Sequence, residues 1–481
     1  MDSESFPAPE YAETVLAPNF EDAKKFFLDS LICIHYAHTR MLAAQGIITG
    51  DDERTLIGAL RGLDLDQIAN SAYDAKYEDL FFYIESLLAQ AARVDVAGKM
   101  HTARSRNDIA IALYRMTVRS ELLHVAESIA GLRATVLGLA LRNIETIMPA
   151  HTHTQPAQPT TLGHYLLAAA EFLGRDAARV RAAFARVNLS PLGACAITTT
   201  GFPIDRDMTA RLLGFEGLAE NAYGAIAAID YVTESASAVA IAMVNLGKLV
   251  HDLLLWSTRE FGYLRLGDGY VQTSTIMPQK RNPVALEHVR ILASRALGEA
   301  QAVLTSAHNT PFGDINDSED DLQPLVVTMF GDARRALRLV AGVLRSAEVD
   351  RELMGRRARR NFLTVTELAD TLVRRAGMSF REAHSLVAKT VALCGSRDDA
   401  QTIAATILSL KPTLGLTPEE IEQTLDPEHF VRIRTIAGGP APETVTAALS
   451  GARIEQRELE EWISAKASLL KRNRAALLGL T

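Results

Sequence analysis

The sequence predicts an almost entirely α-helical fold centred on a bundle of very long helices. Proline is absent between Pro159 and Pro191, between Pro203 and Pro278, and between Pro324 and Pro412. Those stretches are rich in Ala, Leu, Arg and Glu, which lose little side-chain freedom in a helix. No run of alternating strands and no βαβ pattern is visible.

In chain order, the residues up to about Asn107 read as a small N-terminal helical domain (1–107). An amphipathic run from about Ile109 to Met148 opens the central bundle, and a second runs from about Thr160 to Leu189. Val232 to Trp256 is apolar almost all round, as expected of a helix buried among others. Asn282-Pro283 reads as an N-cap with a first-turn proline, starting the next bundle helix. The bundle spans 108–357, and 358–481 form a C-terminal helical domain. No low-complexity linker or internal repeat interrupts this order. A helix apolar on every face needs more partners than one chain supplies, so homo-oligomerisation is expected.

Composition narrows the function class. The chain has 481 residues, of which 48% are hydrophobic, enough for several packed layers. A formal charge of −8 argues against nucleic-acid binding, which calls for a basic face. Cys33, Cys195 and Cys394 are odd in number and widely spaced, which implies a reducing compartment without a disulfide framework. The N-terminus lacks a secretory pattern and no uninterrupted apolar run reaches membrane-spanning length, so a cytoplasmic location without a membrane partner is expected.

Three polar clusters carry the chemistry. The richest is Thr273-Ser274-Thr275-Ile276-Met277-Pro278-Gln279-Lys280-Arg281-Asn282-Pro283, with Glu287 four residues on. The others are His101-Thr102-Ala103-Arg104-Ser105-Arg106-Asn107-Asp108 and His151-Thr152-His153-Thr154-Gln155-Pro156-Ala157-Gln158-Pro159. Each precedes an expected helix, where free backbone N–H groups attract a carboxylate or phosphate. One such cluster is an ordinary cap; three together look like one anion site assembled from distant pieces. His151 and His153 have no ligand partner at a familiar metal spacing, and the acidic run Asp314 to Asp321 lacks the glycine of a calcium loop. No metal or other cofactor is expected. That acidic run reads as a solvated or substrate-facing loop, His35 and His38 as structural, and Arg104 as a surface partner.

The three clusters resemble the shared regions of the fumarase/aspartase superfamily, most closely its argininosuccinate lyase branch. Its His-Thr-Gly-Arg-Ser-Arg-Asn-Asp, Thr-His-x-Gln-x-Ala-Gln-Pro and Gly-Ser-Ser-x-Met-Pro-Gln-Lys-x-Asn-Pro elements all have counterparts here. Pro191-Leu192-Gly193, Pro203-Ile204-Asp205-Arg206, Thr366-Glu367-Leu368-Ala369-Asp370, Phe380-Arg381-Glu382-Ala383-His384 and Gly438-Gly439-Pro440-Ala441-Pro442 extend the resemblance over nearly the whole chain. It implies a homotetramer whose active sites each draw the three clusters from three subunits.

The resemblance also implies an elimination that releases fumarate through an aci-carboxylate, with Ser274 as base. Lys280 and Asn282 would stabilise the developing charge, which is usually the largest catalytic contribution. Arg106, Asn107 and Thr152 would anchor the succinyl carboxylates, arginine by its bidentate fork. His153 would pair with Glu287; whether it is itself the general acid stays open. Ser105, Gln155, Thr275 and Met277 complete the expected substrate contacts.

Three departures fall on the amine side. The family's Asn-x-Ser-Ile-x-x-Asp becomes about Pro18-Asn19-Phe20-Glu21-Asp22-Ala23-Lys24, its Ser and Asp replaced by Phe20 and Lys24; Glu-Asp-Ile-His becomes Glu78-Asp79-Leu80-Phe81, and Tyr-Asn-x-Asp-x-Gln-Glu-Asp becomes Phe312-Gly313-Asp314-Ile315-Asn316-Asp317-Ser318-Glu319. With Lys24 and Phe312 lining the amine pocket, the expected partner is a carboxylate-bearing amine rather than arginine. In this the chain is similar to ethylenediamine-N,N'-disuccinate lyases. An argininosuccinate lyase of arginine biosynthesis and a non-catalytic, crystallin-like protein are the alternatives.

Overall fold

The computed structural model describes residues 6–480. Its backbone is helical almost throughout, and its strands are short antiparallel or parallel pairs. The principal helices are α1 (Leu28–Ala44), α2 (Arg106–Leu141), α3 (Leu162–Val187), α4 (Asp230–Ser257), α5 (Val284–Ala307), α6 (Gln323–Ser346) and α7 (Pro442–Leu478). Helices α2 to α6 pack side by side as the bundle, and α7 returns along α2 and α3. Leu122, Ile129, Leu132, Val136, Leu246, Leu286, Val289 and Leu337 are shut off from solvent along its axis. Each buried aliphatic side chain of this size contributes roughly 1.5–3 kcal/mol. A second, smaller apolar core forms within 368–425 around Leu372, Ile407 and Ile421.

The helix ends follow local chemistry. Ser105 caps α2, and Asp108 closes a capping box by accepting the Ser105 N–H. Thr161 caps α3 by accepting the His164 N–H. Between these helices the chain makes a hairpin absent from the sequence expectation: β1 (Ile147–Thr152) pairs with β2 (Gln155–Thr161). The second bundle helix therefore starts at Leu162, and Thr152, His153 and Gln155 sit at a hairpin tip instead of a helix N-terminus. Gly163 permits this junction, because a Cβ there would lie 2.8 Å from the Ile144 Cα and 2.9 Å from the Asn143 carbonyl. Similarly, Pro283 is the cap of α5, and Asn282 belongs to a two-residue strand β4 (Arg281–Asn282) paired with β3 (Gln272–Thr273).

Helices α2 and α4 are long and apolar enough to cross a bilayer by length and composition alone. Most of the apolar window of α2 is buried in the bundle, whereas less than half of that of α4 is. Ile241, Val244 and Leu255 of α4 face outward, with Ile291 and Leu304 of α5. The all-round apolar character of α4 is thus only partly satisfied within one chain.

Candidate active site

Cluster one is fixed from behind. The buried Asp108 carboxylate accepts N–H groups from Ser105 (2.8 Å), Gly193 (2.9 Å) and Cys195 (3.2 Å). Burial raises its pKa, and those three donors with Arg104 work in the other direction. Gly193 has φ +84°, and a Cβ on it would strike Arg206 and Ile204, so glycine is required. Arg104 is buried, not a surface partner: its guanidinium donates to His35 Nδ1 (2.9 Å) and Glu85 (3.2 Å). Burial pulls its pKa down to about 10 against the pull of Glu85. His38 donates to the Thr102 carbonyl at 2.9 Å, and burial holds its pKa down to about 3.

This scaffold aims Arg106 and Asn107 into a cavity of about 280 Å³. Arg106 meets Asp79 at 2.8 Å and Glu78 at 3.1 Å and lies over the Phe82 ring. Burial opposes its charge, yet the hydrogen bonds to those two carboxylates leave its pKa raised. The Asn107 amide donates to Asp314, and Tyr114 donates to Asp320 at 2.6 Å. The cavity is walled by Phe20, Phe27 and Phe81 and rimmed by Glu78, Asp79, Asp314, Glu319, Asp320 and Asp321. Burial, then a hydrogen bond to Asp314, raises the pKa of Glu319.

Two expected pocket residues lie elsewhere. Lys24 is buried, with its ammonium on the Ser71 carbonyl, paired to Glu21 at 2.9 Å and 5.2 Å from the Phe20 ring centre. Asn19, Phe20 and Ala23 line the cavity, whereas Lys24, one turn after Phe20, is drawn out of it by the Ser71 carbonyl and Glu21. Phe312 is 65% exposed, stacked beside Tyr223 outside the cavity. Tyr114, not singled out from sequence, completes the wall with Glu319 and Asp320 of the acidic run. The helical spacing Arg106, Ala110, Leu113, Tyr114 was the available signal for Tyr114.

Cluster two occupies the turn of the β1–β2 hairpin. Thr152 pairs with Gln155 across two residues, His153 (φ +50°) and Thr154 (φ +61°). That is the primed hairpin turn that normally takes Asn-Gly. Left-handed backbone at a β-branched threonine is an outlier that costs of order 1 kcal/mol or more, and such strain gathers at functional sites. All four side chains are exposed. His151, at the hairpin flank, packs on Phe261.

Cluster three is the loop between β3 and β4. Ser274 Oγ accepts the Met277 N–H at 3.1 Å and the Ile276 N–H at 3.4 Å. Thr275, Met277 and Lys280 are exposed beside it, Asn282 is half-buried, and Glu287 is exposed on the first turn of α5.

Within one chain the Arg106 cluster stays apart from the other two. Arg106 begins α2 and the hairpin follows its end; 36 residues span about 54 Å. Ser274 precedes α5, whose C-terminal end leads to Asp314 beside Asn107; its 24 residues span about 36 Å. Among the described residues no hydrogen bond or ion pair joins His153 to Glu287, or either to Ser274 or Arg106. Nor does any group of three or more His, Cys, Asp and Glu side chains converge in a metal-holding arrangement.

Known proteins place this architecture. A family profile described as Lyase matches residues 51–298, and one described as Argininosuccinate lyase C-terminal matches 362–432. Argininosuccinate lyase 2 of Agrobacterium fabrum is 42% identical over 460 residues, covering 94% of this chain and 91% of the relative. The argininosuccinate lyase of Methanoculleus marisnigri is 41% identical over 441 residues, covering 91% and 88%. An EDDS lyase crystallised with formate superimposes with a TM-score of 0.83 at 33% identity, covering 97% and 95%. Fold, motifs and relatives agree that this chain belongs to the argininosuccinate lyase branch of the fumarase/aspartase superfamily and is a fumarate-forming carbon–nitrogen lyase.

Proposed function

We propose that this lyase acts on argininosuccinate, or an N-substituted aspartate whose amine carries a similar cationic tail, and works as a homotetramer in the cytoplasm. The observation that carries this reading is the ring of carboxylates around the cavity beside Arg106 and Asn107. An amine with two carboxylates would meet more like charge there than arginine, which carries one, because Lys24 supplies no counter-charge to the cavity. A guanidinium would meet matched bidentate acceptors.

The roles of the anchored residues follow from charge. Arg106, Asn107 and Thr152 hold the succinyl carboxylates, and Arg106 exchanges its Glu78 and Asp79 partners for the substrate. Ser274 removes the proton beside a carboxylate. Its Oγ already accepts two backbone N–H groups, which favour an alkoxide, and Lys280 supplies the nearby cation. Lys280 and Asn282 then stabilise the aci-carboxylate. His153, paired with Glu287 of another copy, faces the departing nitrogen. The span of α2 favours assembly of each site from separate copies, and the uncovered apolar face of α4 offers the packing surface.

The test is fumarate absorbance with purified protein on argininosuccinate and on ethylenediamine-N,N'-disuccinate. Turnover of argininosuccinate is expected. Fumarate from the aminopolycarboxylate alone would favour the second reading, for which the EDDS lyase likeness and the altered segment at Phe312-Gly313 speak.

A further inference from the structure

We propose that Gln158, His164 and Glu367 are positioning residues for the elimination: they close a ring of hydrogen bonds and ion pairs that fixes the β1–β2 hairpin and so sets where its tip carries Thr152 and His153. This rests on the reading above that the hairpin tip acts at the active site.

The ring joins segments far apart in sequence. From β2, Gln158 Nε2 donates to the Thr366 hydroxyl at 3.2 Å. Thr366 lies in the first turn of the helix Val365–Ala376, and its neighbour Glu367 is 1% exposed. The Glu367 carboxylate accepts from Thr371 at 3.2 Å and pairs with Arg374 and, at 3.0 Å, with Arg434. Arg434 begins a tight loop: its carbonyl accepts the Ala441 N–H at 3.4 Å, and a Cβ on Gly439 would lie 2.2 Å from that oxygen. Gly438 (φ +83°) turns within this loop, and its carbonyl meets His164 Nε2 at 3.0 Å. His164 Nδ1 meets the Thr160 hydroxyl at 2.8 Å, which returns the ring to β2. A carbonyl only accepts, so His164 carries its proton on Nε2 and takes the Thr160 O–H on Nδ1.

The ring grips the hairpin at its base and leaves the tip clear. A two-stranded hairpin is marginally stable by itself, so the direction of its tip is set by what holds its flanks. On the other strand, His151 packs on Phe261, and Arg357 lies over the same Phe261 ring at 5.5 Å. Past these holds, Thr152, His153, Thr154 and Gln155 are exposed. Burying an ion-paired carboxylate such as Glu367 gains little net stability, but its geometry is exacting, which suits a part that fixes position. A shift of about 1 Å at a reacting group costs on the order of 10²-fold, so residues that never touch substrate can govern the rate through the tip they hold.

The test replaces His164 by Phe, which keeps an aromatic ring and loses both hydrogen bonds. Steady-state fumarate release, from argininosuccinate or else from ethylenediamine-N,N'-disuccinate, is measured for native protein, H164F, H153A and the variant carrying both changes. H164F should lower kcat by about tenfold or more, and H164Q, whose amide keeps a donor for Gly438, should recover most of that loss. In the H153A background H164F should change kcat by less than about twofold, because the group it positions is already gone. A merely structural role would give the same fold loss in both backgrounds. That result, or a kcat for H164F within about twofold of native while H153A is impaired, would overturn the proposal. If H164F does not fold, Q158A opens the ring at an exposed side chain and should lower kcat by about threefold or more, again only while His153 is present. Native kcat in Q158A would then overturn the proposal equally. Near-native kcat in H153A itself would instead remove His153 from the reaction, and with it the reading on which the ring's role stands.

Discussion

Replacing Asp108 by Asn tests whether the substrate-anchoring loop is held from behind by one buried carboxylate. Its Oδ1 accepts the Ser105 N–H at 2.8 Å, and its Oδ2 accepts those of Gly193 and Cys195 at 2.9 and 3.2 Å. An asparagine has one acceptor oxygen. If that oxygen keeps the Gly193 and Cys195 pair, its NH2 group faces the Ser105 N–H, donor against donor. Losing a hydrogen bond to a charged acceptor costs about 1.5–3 kcal/mol, and the opposed donor adds to it. Neutral asparagine recovers part of the burial cost that raises the Asp108 pKa, so the net loss should be about 1–3 kcal/mol.

The functional consequence is larger than the stability loss. Arg106 and Asn107 follow directly on Ser105, so its release displaces both anchors, and a shift of about 1 Å at a positioning group costs on the order of 10²-fold. Urea unfolding at fixed protein concentration measures the first quantity, and the initial rate of fumarate release the second. Stability within about 0.3 kcal/mol of native together with kcat/KM within about twofold would refute the reasoning. Lost stability with native kcat/KM would mean that Asp108 holds the Gly193 loop but not the anchors.

S274A should lower kcat by at least ~10²-fold with little change in fumarate affinity; near-normal turnover would remove Ser274 as the base. Mixing S274A and H153A subunits in equal amounts by dissociation and reassembly should restore about a quarter of native activity, since random assembly leaves that fraction of sites with both groups intact; no recovery would place both groups in one chain's site. His38 has a folded-state pKa held down to about 3, so its stabilising effect is complete above about 6.5 and is lost as pH falls towards 3. At ~1.4 kcal/mol per pH unit, going from pH 7 to 5 should cost native protein about 2 kcal/mol more than H38Q; equal losses in urea titrations at the two pH values would show that His38 is not buried neutral.

The long helices were legible because their signals are local. Proline-free stretches and the all-round apolar pattern of α4 need no knowledge of distant residues. The β1–β2 hairpin was not legible. Its turn is His153-Thr154 where the pattern wants Asn-Gly, and Pro149, Pro156 and Pro159 weaken any strand signal. The acidic run was visible as a loop, but its link to Asn107 joins residues 207 positions apart, which no periodicity reports. Lys24 misled for a related reason: its sequence position is on the cavity helix, but its ammonium is held by the Ser71 carbonyl, 47 positions away.

On the proposed roles of the three clusters, their placement makes assembly a condition of the chemistry. A serine hydroxyl becomes a base only where its alkoxide is held by fixed donors and kept from bulk water, because water competes for every such hydrogen bond. In the single chain the Ser274 loop has its two backbone donors, yet Ile276 is 83% exposed and Lys280 stands in solvent. The His153 hairpin tip is equally open, with left-handed backbone at His153 and Thr154. The anchor Arg106 is held by its own carboxylates. Each piece is therefore shaped but idle alone. Stacking copies along the uncovered face of α4 would bring the end of one long helix against the start of another, excluding water and uniting base, anchor and histidine in one step. The separation by about 54 Å between Arg106 and the hairpin is, on this reading, what lets the bundle serve as both packing core and ruler for the site.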